Sequence, residues 1–166
     1  KLLPGLSGGE TYGTENEIGP LFYVDDPDAE TIGLLEANGK AGLAVKTDGQ
    51  CKVYYSSAPL MSSSLLRGIA TAAGVHVYNP RDDVLYASKS FMTIHTHKGQ
   101  GGVRSNELPG RCDVYDVYNN KLIAENVREF QVDIPESHTM LFYCGDSDAW
   151  TKRYSGKLSK SPVPDN

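Results

Sequence analysis

Few features of this sequence point to a metal, a membrane or a nucleic acid. The 166 residues include only three cysteines, Cys51, Cys112 and Cys144. An odd count without C-x-x-C spacing supplies neither a disulfide framework nor a structural zinc site, so buried thiols on strands are the expectation. Basic residues are in the minority: 16 Lys+Arg against 21 Asp+Glu give a net charge of −5. That balance argues against nucleic acid or an anionic membrane as partner, since both require a basic face. No apolar run approaches the roughly 20 residues of a membrane-spanning helix. The first residues, Lys1-Leu2-Leu3-Pro4, contain neither an initiator Met nor a charged-then-apolar leader. The chain is therefore expected to be a processed product or a piece of a longer polypeptide. What is abundant reads as folded protein: hydrophobic residues make up 39 %, with ten Tyr. Seventeen Gly and nine Pro imply many turns and short strands.

The pattern along the chain predicts an α+β, mostly β protein. Residues 5–20, with Gly8-Gly9, Gly13 and Gly19-Pro20, read as loop rather than core. Leu21-Phe22-Tyr23-Val24 reads as a short strand stopped by Asp25-Asp26-Pro27-Asp28, and residues 31–35 as a second apolar segment. Residues 41–46 and 51–56 flank Thr47-Asp48-Gly49-Gln50, a hairpin signature in which Asp and Gly both tolerate positive φ. Leu65, Leu66, Ile69, Ala70 and Ala73 recur at helical spacing behind Ser62 and before Gly74. This predicts a capped helix over 62–73 that buries Leu65, Leu66, Ile69 and Ala70 against a sheet. Beyond Gly74 the period shortens. Segments 75–78, 84–87, 91–95, 112–115, 127–132 and 139–143 are β-rich. Turn clusters at Asn79-Pro80, 98–102, Pro109-Gly110, Asn119-Asn120 and Pro135-Glu136 separate them. The spacing predicts a small antiparallel β-sandwich, and Phe130, Val132 and Ile134 alternate with Gln131 and Asp133 as one buried and one wet face require. The domain reading is thus residues 1–78, a partial α/β layer of hairpin plus one helix; 79–146, the sandwich; and 147–166, a polar tail docking through Trp150 and Tyr154.

No catalytic constellation stands out. His95 and His97 share one side of a strand, but no third metal ligand lies nearby. Glu15/Glu17 and Asp25/Asp26/Asp28 lack the apolar surroundings that raise a carboxyl pKa for glycoside cleavage. The serine clusters do not form a Gly-x-Ser-x-Gly elbow, and Gly99-Gln100-Gly101-Gly102 lies between strands rather than before a helix. No cofactor signature is present. Tyr115, Tyr118 and Tyr143 are the candidate sugar-stacking rings, because aromatic faces on a sandwich stack on sugars.

The order of several phrases carries a resemblance. Gly19-Pro20-Leu21-Phe22-Tyr23-Val24-Asp25-Asp26-Pro27, residues 41–46, Tyr54-Tyr55-Ser56-Ser57-Ala58-Pro59-Leu60, Leu65-Leu66-Arg67-Gly68-Ile69-Ala70, Ala73-Gly74-Val75-His76-Val77-Tyr78 and Asp83-Val84-Leu85-Tyr86-Ala87 occur in sequence. Together they resemble the C-terminal region of β-galactosidase-like and agarase-like glycoside hydrolases. In these a catalytic barrel precedes a flavodoxin-like domain, similar to the trimerisation domain of family 42 glycosidases, and then a small β-domain. The resemblance implies that the first half is the end of the flavodoxin-like domain, lacking its earlier strands, and that the catalytic acids lie on an upstream barrel. It implies as partners that barrel, in the same polypeptide or complex, and further copies of the chain. The function that follows is a non-catalytic accessory region; a carbohydrate-binding sandwich and one chain of a two-chain glycosidase are the alternatives.

Overall fold

The computed structural model describes residues 3–154, and the chain divides into two units, Lys1–Val77 and Tyr78–Asn166. The class is α+β and mostly β, with a three-stranded sheet, a five-stranded sheet and two helices among the described residues.

The first unit is built on β1 (Glu30–Leu34), β2 (Ala41–Asp48) and β3 (Cys51–Ser56), antiparallel in the order β1-β2-β3. The hairpin forms where the sequence places it, but β2 runs on to Asp48, which pairs with Cys51. The turn is therefore Gly49-Gln50, with Gly49 at φ +58 and Gln50 outside the left-handed region. A single positive φ at the first central residue is the type II′ arrangement, so one glycine suffices and Asp48 stays in the ladder.

Residues 21–24 form no strand, contrary to the pattern. Their ties to the sheet are the Val24 N–H to the Ala41 carbonyl (2.9 Å) and the Tyr55 hydroxyl to the Phe22 carbonyl (3.2 Å). The Asx turn that follows, with Asp26 accepting from the Asp28 N–H (2.9 Å), turns the chain away before a ladder can extend.

Helix α1 (Ser63–Ala72) has the predicted ends. Ser62 accepts the Leu65 N–H (3.2 Å), and Gly74 at φ +75 closes the C-terminus. The Gly74 N–H bonds the Thr71 carbonyl and the Val75 N–H bonds the Ala70 carbonyl, the two bonds of a Schellman motif. Its buried face differs from the expectation: Leu65 is 3 % exposed, but Leu66 is 48 % exposed. Gly68 is the reason. A β-carbon there would lie 3.0 Å from the Pro4 carbonyl oxygen and 3.2 Å from the Leu3 β-carbon. The N-terminal segment packs against the helix at this notch, which turns the Leu65–Gly68 line inward and Leu66 outward. Leu65→Ala should then cost roughly 2–4 kcal/mol and Leu66→Ala less than about 1 kcal/mol, read as urea midpoints from the helical circular dichroism. Equal losses at both positions would refute this orientation.

In the second unit β4 (Val84–Ala87), β5 (Phe91–His95), β6 (Gly102–Asp116), β7 (Lys121–Ile134) and β8 (Thr139–Gly145) form one antiparallel sheet in the order β4-β5-β8-β6-β7. The sandwich-like architecture arises because this sheet folds over on itself. Phe130 of β7 pairs with Asn106 of β6, and Phe142 of β8 pairs with Asp116, ten positions further along β6. A straight strand would separate those positions by roughly 30 Å, yet the Phe130 and Phe142 rings meet edge-on at 5.3 Å. The fold-over falls where the β6–β7 register shifts between Glu107 and Cys112, around Pro109-Gly110. Those two residues, read from sequence as a turn between strands, are a bend inside one strand. Met92, Ile94, Leu108, Val114, Phe130, Ile134, Met140 and Phe142 fill the space enclosed.

Two further expectations change. Residues 75–78, read as β, join no ladder; the Tyr78 carbonyl accepts the Glu107 N–H (2.8 Å) as an isolated bond. The start of the proposed tail is helix α2 (Ser147–Tyr154), capped by Asp146, which accepts the N–H groups of Asp148 (2.9 Å) and Ala149 (3.0 Å). The remainder of the tail, 155–166, lies outside the described residues.

Candidate functional site

Strand register assembles an aromatic row on the outer face of the second unit's sheet. Phe91 of β5 is the Cα partner of Tyr143 of β8, and Tyr143 is the partner of Tyr115 of β6. Because side chains alternate along each strand, these three rings stand on the face opposite Met92, Val114 and Phe142. Trp150 of α2 lies over the row: its ring centroid is 4.7 Å from Tyr143 in a stacked geometry, 5.7 Å from Phe91 and 6.1 Å from Tyr115. Tyr154 adds a further ring 4.3 Å from Trp150.

Of the three rings named from sequence, the fold brings Tyr115 and Tyr143 together and covers both with the indole. Tyr115 is only 7 % exposed, and its hydroxyl donates to Asn120 Oδ1 (2.5 Å). Tyr118 stands apart in the β6–β7 turn and is 63 % exposed. The trio is therefore not one open platform. Sequence reasoning missed Phe91 as a member of the row, although its place at the start of a β-rich run was the available signal.

Asp113 of β6 ties down the helix that covers the row. Its carboxylate accepts the backbone N–H of Ser147 (3.0 Å) and of Asn126 (2.9 Å), tying α2 and β7 to β6. These N–H groups, the Ser147 one foremost, hold the Asp113 carboxyl below its ordinary value. A depressed folded-state pKa stabilises the fold above the unfolded value of about 3.9 and ceases to do so as pH falls through the folded value. Asp113→Asn should then cost about 1 kcal/mol at neutral pH, kept small by solvent screening. The gap between wild-type and variant urea midpoints should narrow below about pH 4. A gap that is constant with pH would mean that the charge plays no part.

The carboxylates weighed for glycoside cleavage are placed otherwise. Asp26 binds Lys46 Nζ at 2.6 Å, and that hydrogen bond, with the Asp28 N–H, lowers its pKa. A general acid requires the opposite shift. His95 shares a hydrogen bond of 2.8 Å with the Thr139 hydroxyl, and its ring centroid lies 6.1 Å from that of His97. Among the described residues no group of three or more His, Cys, Asp or Glu side chains is placed to hold a metal ion.

The first unit contains a cleft of about 230 Å³ between α1, the sheet and the N-terminal segment. Its walls include Ile32, Leu43 and Leu65, with Glu10 and Tyr12 contributed by the segment read from sequence as plain loop. Tyr12 and Ser56 share a hydrogen bond of 2.8 Å between their hydroxyls, which pins that segment to β3. No protein-family model matches this sequence, and comparison with curated proteins yields no significant match.

Proposed function

We propose that this chain is a non-catalytic accessory region of a carbohydrate-active glycoside hydrolase, supporting an upstream catalytic barrel and the assembly of subunits. The observation that carries this reading is the apolar exposure of the first unit. Its three-stranded sheet leaves Val53 and Tyr55 of the edge strand 56 % and 39 % exposed, and Leu34 and Phe22 are each 68 % exposed. An open edge flanked by large apolar side chains is a surface suited to further polypeptide. The order of the segments quoted above supplies the enzyme class, and the state of Asp26 fits a role outside the chemistry.

The chain alone should bind a fluorescent apolar dye or associate as its concentration rises in light scattering, and Val53→Lys should reduce either effect. A monomer at all concentrations with no dye-binding surface would refute the reading. So would release of nitrophenol from a nitrophenyl galactoside by this chain alone. The intact mass of the native polypeptide bears on the same point: it should exceed the 18.1 kDa of this chain by at least a catalytic barrel.

A second reading, a carbohydrate-binding module, rests on the Phe91–Tyr143–Tyr115 row. Calorimetric titration with agar and galactan oligosaccharides separates the two. Heat that is lost in Tyr143→Ala would favour the module.

A further inference from the structure

We propose that the cleft of the first unit binds a small amphiphilic cation, a primary ammonium on an apolar body of about six carbon atoms. Supporting a barrel gives this cleft no task. Its walls are aliphatic: Leu6 of the N-terminal segment, Ile32 of β1, Leu35 just beyond it, Leu43 of β2 and Leu65 of α1 border about 230 Å³. They are fixed from outside the space. The hydrogen bond between the Tyr12 and Ser56 hydroxyls (2.8 Å) holds the N-terminal segment to β3, and the notch at Gly68 seats Pro4 and Leu6 on α1. Leu35 lies over Gly42, where a β-carbon would meet its Cγ at 2.8 Å. An apolar cavity of roughly 150 Å³ is enough to take up benzene, so this cleft has room for a six-carbon chain or ring.

Charge decides the head group. Glu10 and Glu36 both line the cleft, and among the described residues no Lys, Arg or His does. The neighbouring hydroxyls are committed within the protein. Tyr12 bonds Ser56, Ser57 donates to the Gly42 carbonyl (3.0 Å), and Ser62 bonds Ser64 (2.9 Å) and the Leu65 N–H. A sugar would therefore find few open partners for its own hydroxyls. An anion is disfavoured by the two carboxylates. The start of α1, where an anion would otherwise be welcome, is already served by Glu10, whose Oε2 accepts the Ser64 hydroxyl (3.0 Å). An ammonium brings a positive charge toward the carboxylates and three N–H donors for their oxygens, while its apolar body fills the leucine-lined space.

The full chain is titrated by calorimetry and NMR with n-hexylamine, which is protonated at neutral pH, and in parallel with n-hexanol and n-hexanoate. Cys51 at the start of β3 is exposed, contrary to the buried thiol expected, so a reductant keeps chains from linking. Hexylammonium should bind with a Kd on the order of 1 mM or tighter, hexanol several-fold more weakly and hexanoate least. Shortening the chain to n-butylamine should weaken binding on the order of tenfold, for two methylenes left out of the cleft. Glu10→Gln combined with Glu36→Gln should weaken hexylammonium by about fivefold to tenfold and leave hexanol unchanged. Both residues are exposed, so the exchange does not endanger the fold. Nuclear Overhauser contacts should place the hexyl chain against Leu43 and Leu65. Val53→Lys, which probes the open edge strand of the accessory reading, should leave the affinity within about twofold, so the two proposals fail separately. Hexanoate bound as tightly as hexylammonium would overturn the proposal. Contacts to Val53 and Tyr55 in place of Leu65, or no heat and no shift up to about 10 mM, would do the same.

Discussion

Replacing Asp83 by Ala should destabilise the second unit by roughly 3–5 kcal/mol. The reason is the guanidinium it would leave behind. The Arg104 side chain is 0 % exposed and that of Asp83 2 %, and the pair is bidentate, Nε to Oδ2 at 2.6 Å and Nη2 to Oδ1 at 2.8 Å. Arg104 also donates to the Gly102 carbonyl (2.8 Å) and to the Gln100 carbonyl, so four of its five N–H groups are engaged. The Asp83 hydrogen bonds hold its pKa above even the ordinary arginine value, so the charge persists at any pH at which the protein folds. Without Asp83 the carbonyls remain but the counter-charge is gone, and a stranded buried cation costs far more than a lost surface pair. Against a domain stability of about 5–15 kcal/mol this is a large fraction. Trp150 is the sole tryptophan, so its fluorescence reports the urea transition of this unit alone. The double substitution Asp83→Leu/Arg104→Met should cost less than Asp83→Ala, since it removes both charges together. A loss below about 1 kcal/mol in Asp83→Ala would mean that water reaches the pair.

The same arginine explains why half of β6 was not legible in the sequence. Along Gly102–Asp116 the inward positions are Arg104, Asn106 and Leu108, while Val103 is 55 % exposed. A pattern reading assigns Val inside and Arg outside, which is the reverse of the register that forms. The inversion holds because the polar side chains satisfy one another: Asn79 Nδ2 donates to Asp83 Oδ2 (3.3 Å) and to Asn106 Oδ1 (3.2 Å). Hydrophobicity is blind to such a network, so the strand was expected to begin only at Cys112. Where burial is apolar, the pattern sufficed. Phe130 at 5 % and Ile134 at 0 % exposed follow the predicted alternation of β7. Helix α1 was legible at its ends, where Ser62 and Gly74 act locally. It was not legible in its buried face, which depends on a segment some sixty positions upstream fitting the notch at Gly68.

The candidate site shows the same division. Tyr115 and Tyr143 were readable as strand aromatics, but their adjacency is a matter of register, and register across β8 and β6 has no local signature. The five-stranded order β4-β5-β8-β6-β7 places the last strand between two earlier ones. A residue near the end of the sheet's sequence is thereby brought between Phe91 and Tyr115, and no linear scan suggests that trio. Trp150 was recognised as the residue through which the tail docks, yet the ring it docks on was not.

Trp150→Ala should be the second large loss, roughly 3–5 kcal/mol for the second unit, because the indole is 7 % exposed and contacts four aromatic rings. The loss extends beyond one side chain. Helix α2 has eight residues, far too few to persist undocked, and Trp150 is its one buried residue. Removing the indole therefore releases the whole helix, leaving the Asp146 cap and the Ser147 N–H to Asp113 bond to hold what remains. The variant lacks tryptophan, so its urea midpoint must be read by circular dichroism. Ultraviolet difference spectroscopy should show Tyr143 and Tyr115 newly reached by solvent. The same variant bears on the alternative to the accessory reading. With the indole gone, the Tyr143 face on which Trp150 now stacks is uncovered, with Phe91 edge-on to it at 65°, and an open aromatic face of that kind can stack on a sugar ring. Should galactan oligosaccharides bind Trp150→Ala and not the unaltered chain, α2 acts as a lid on a carbohydrate surface. Should neither form bind, the row is core that happens to lie on the outer face, and the indole contributes to stability alone. An unchanged midpoint would contradict both outcomes, because it would mean that α2 contributes nothing to the fold it covers.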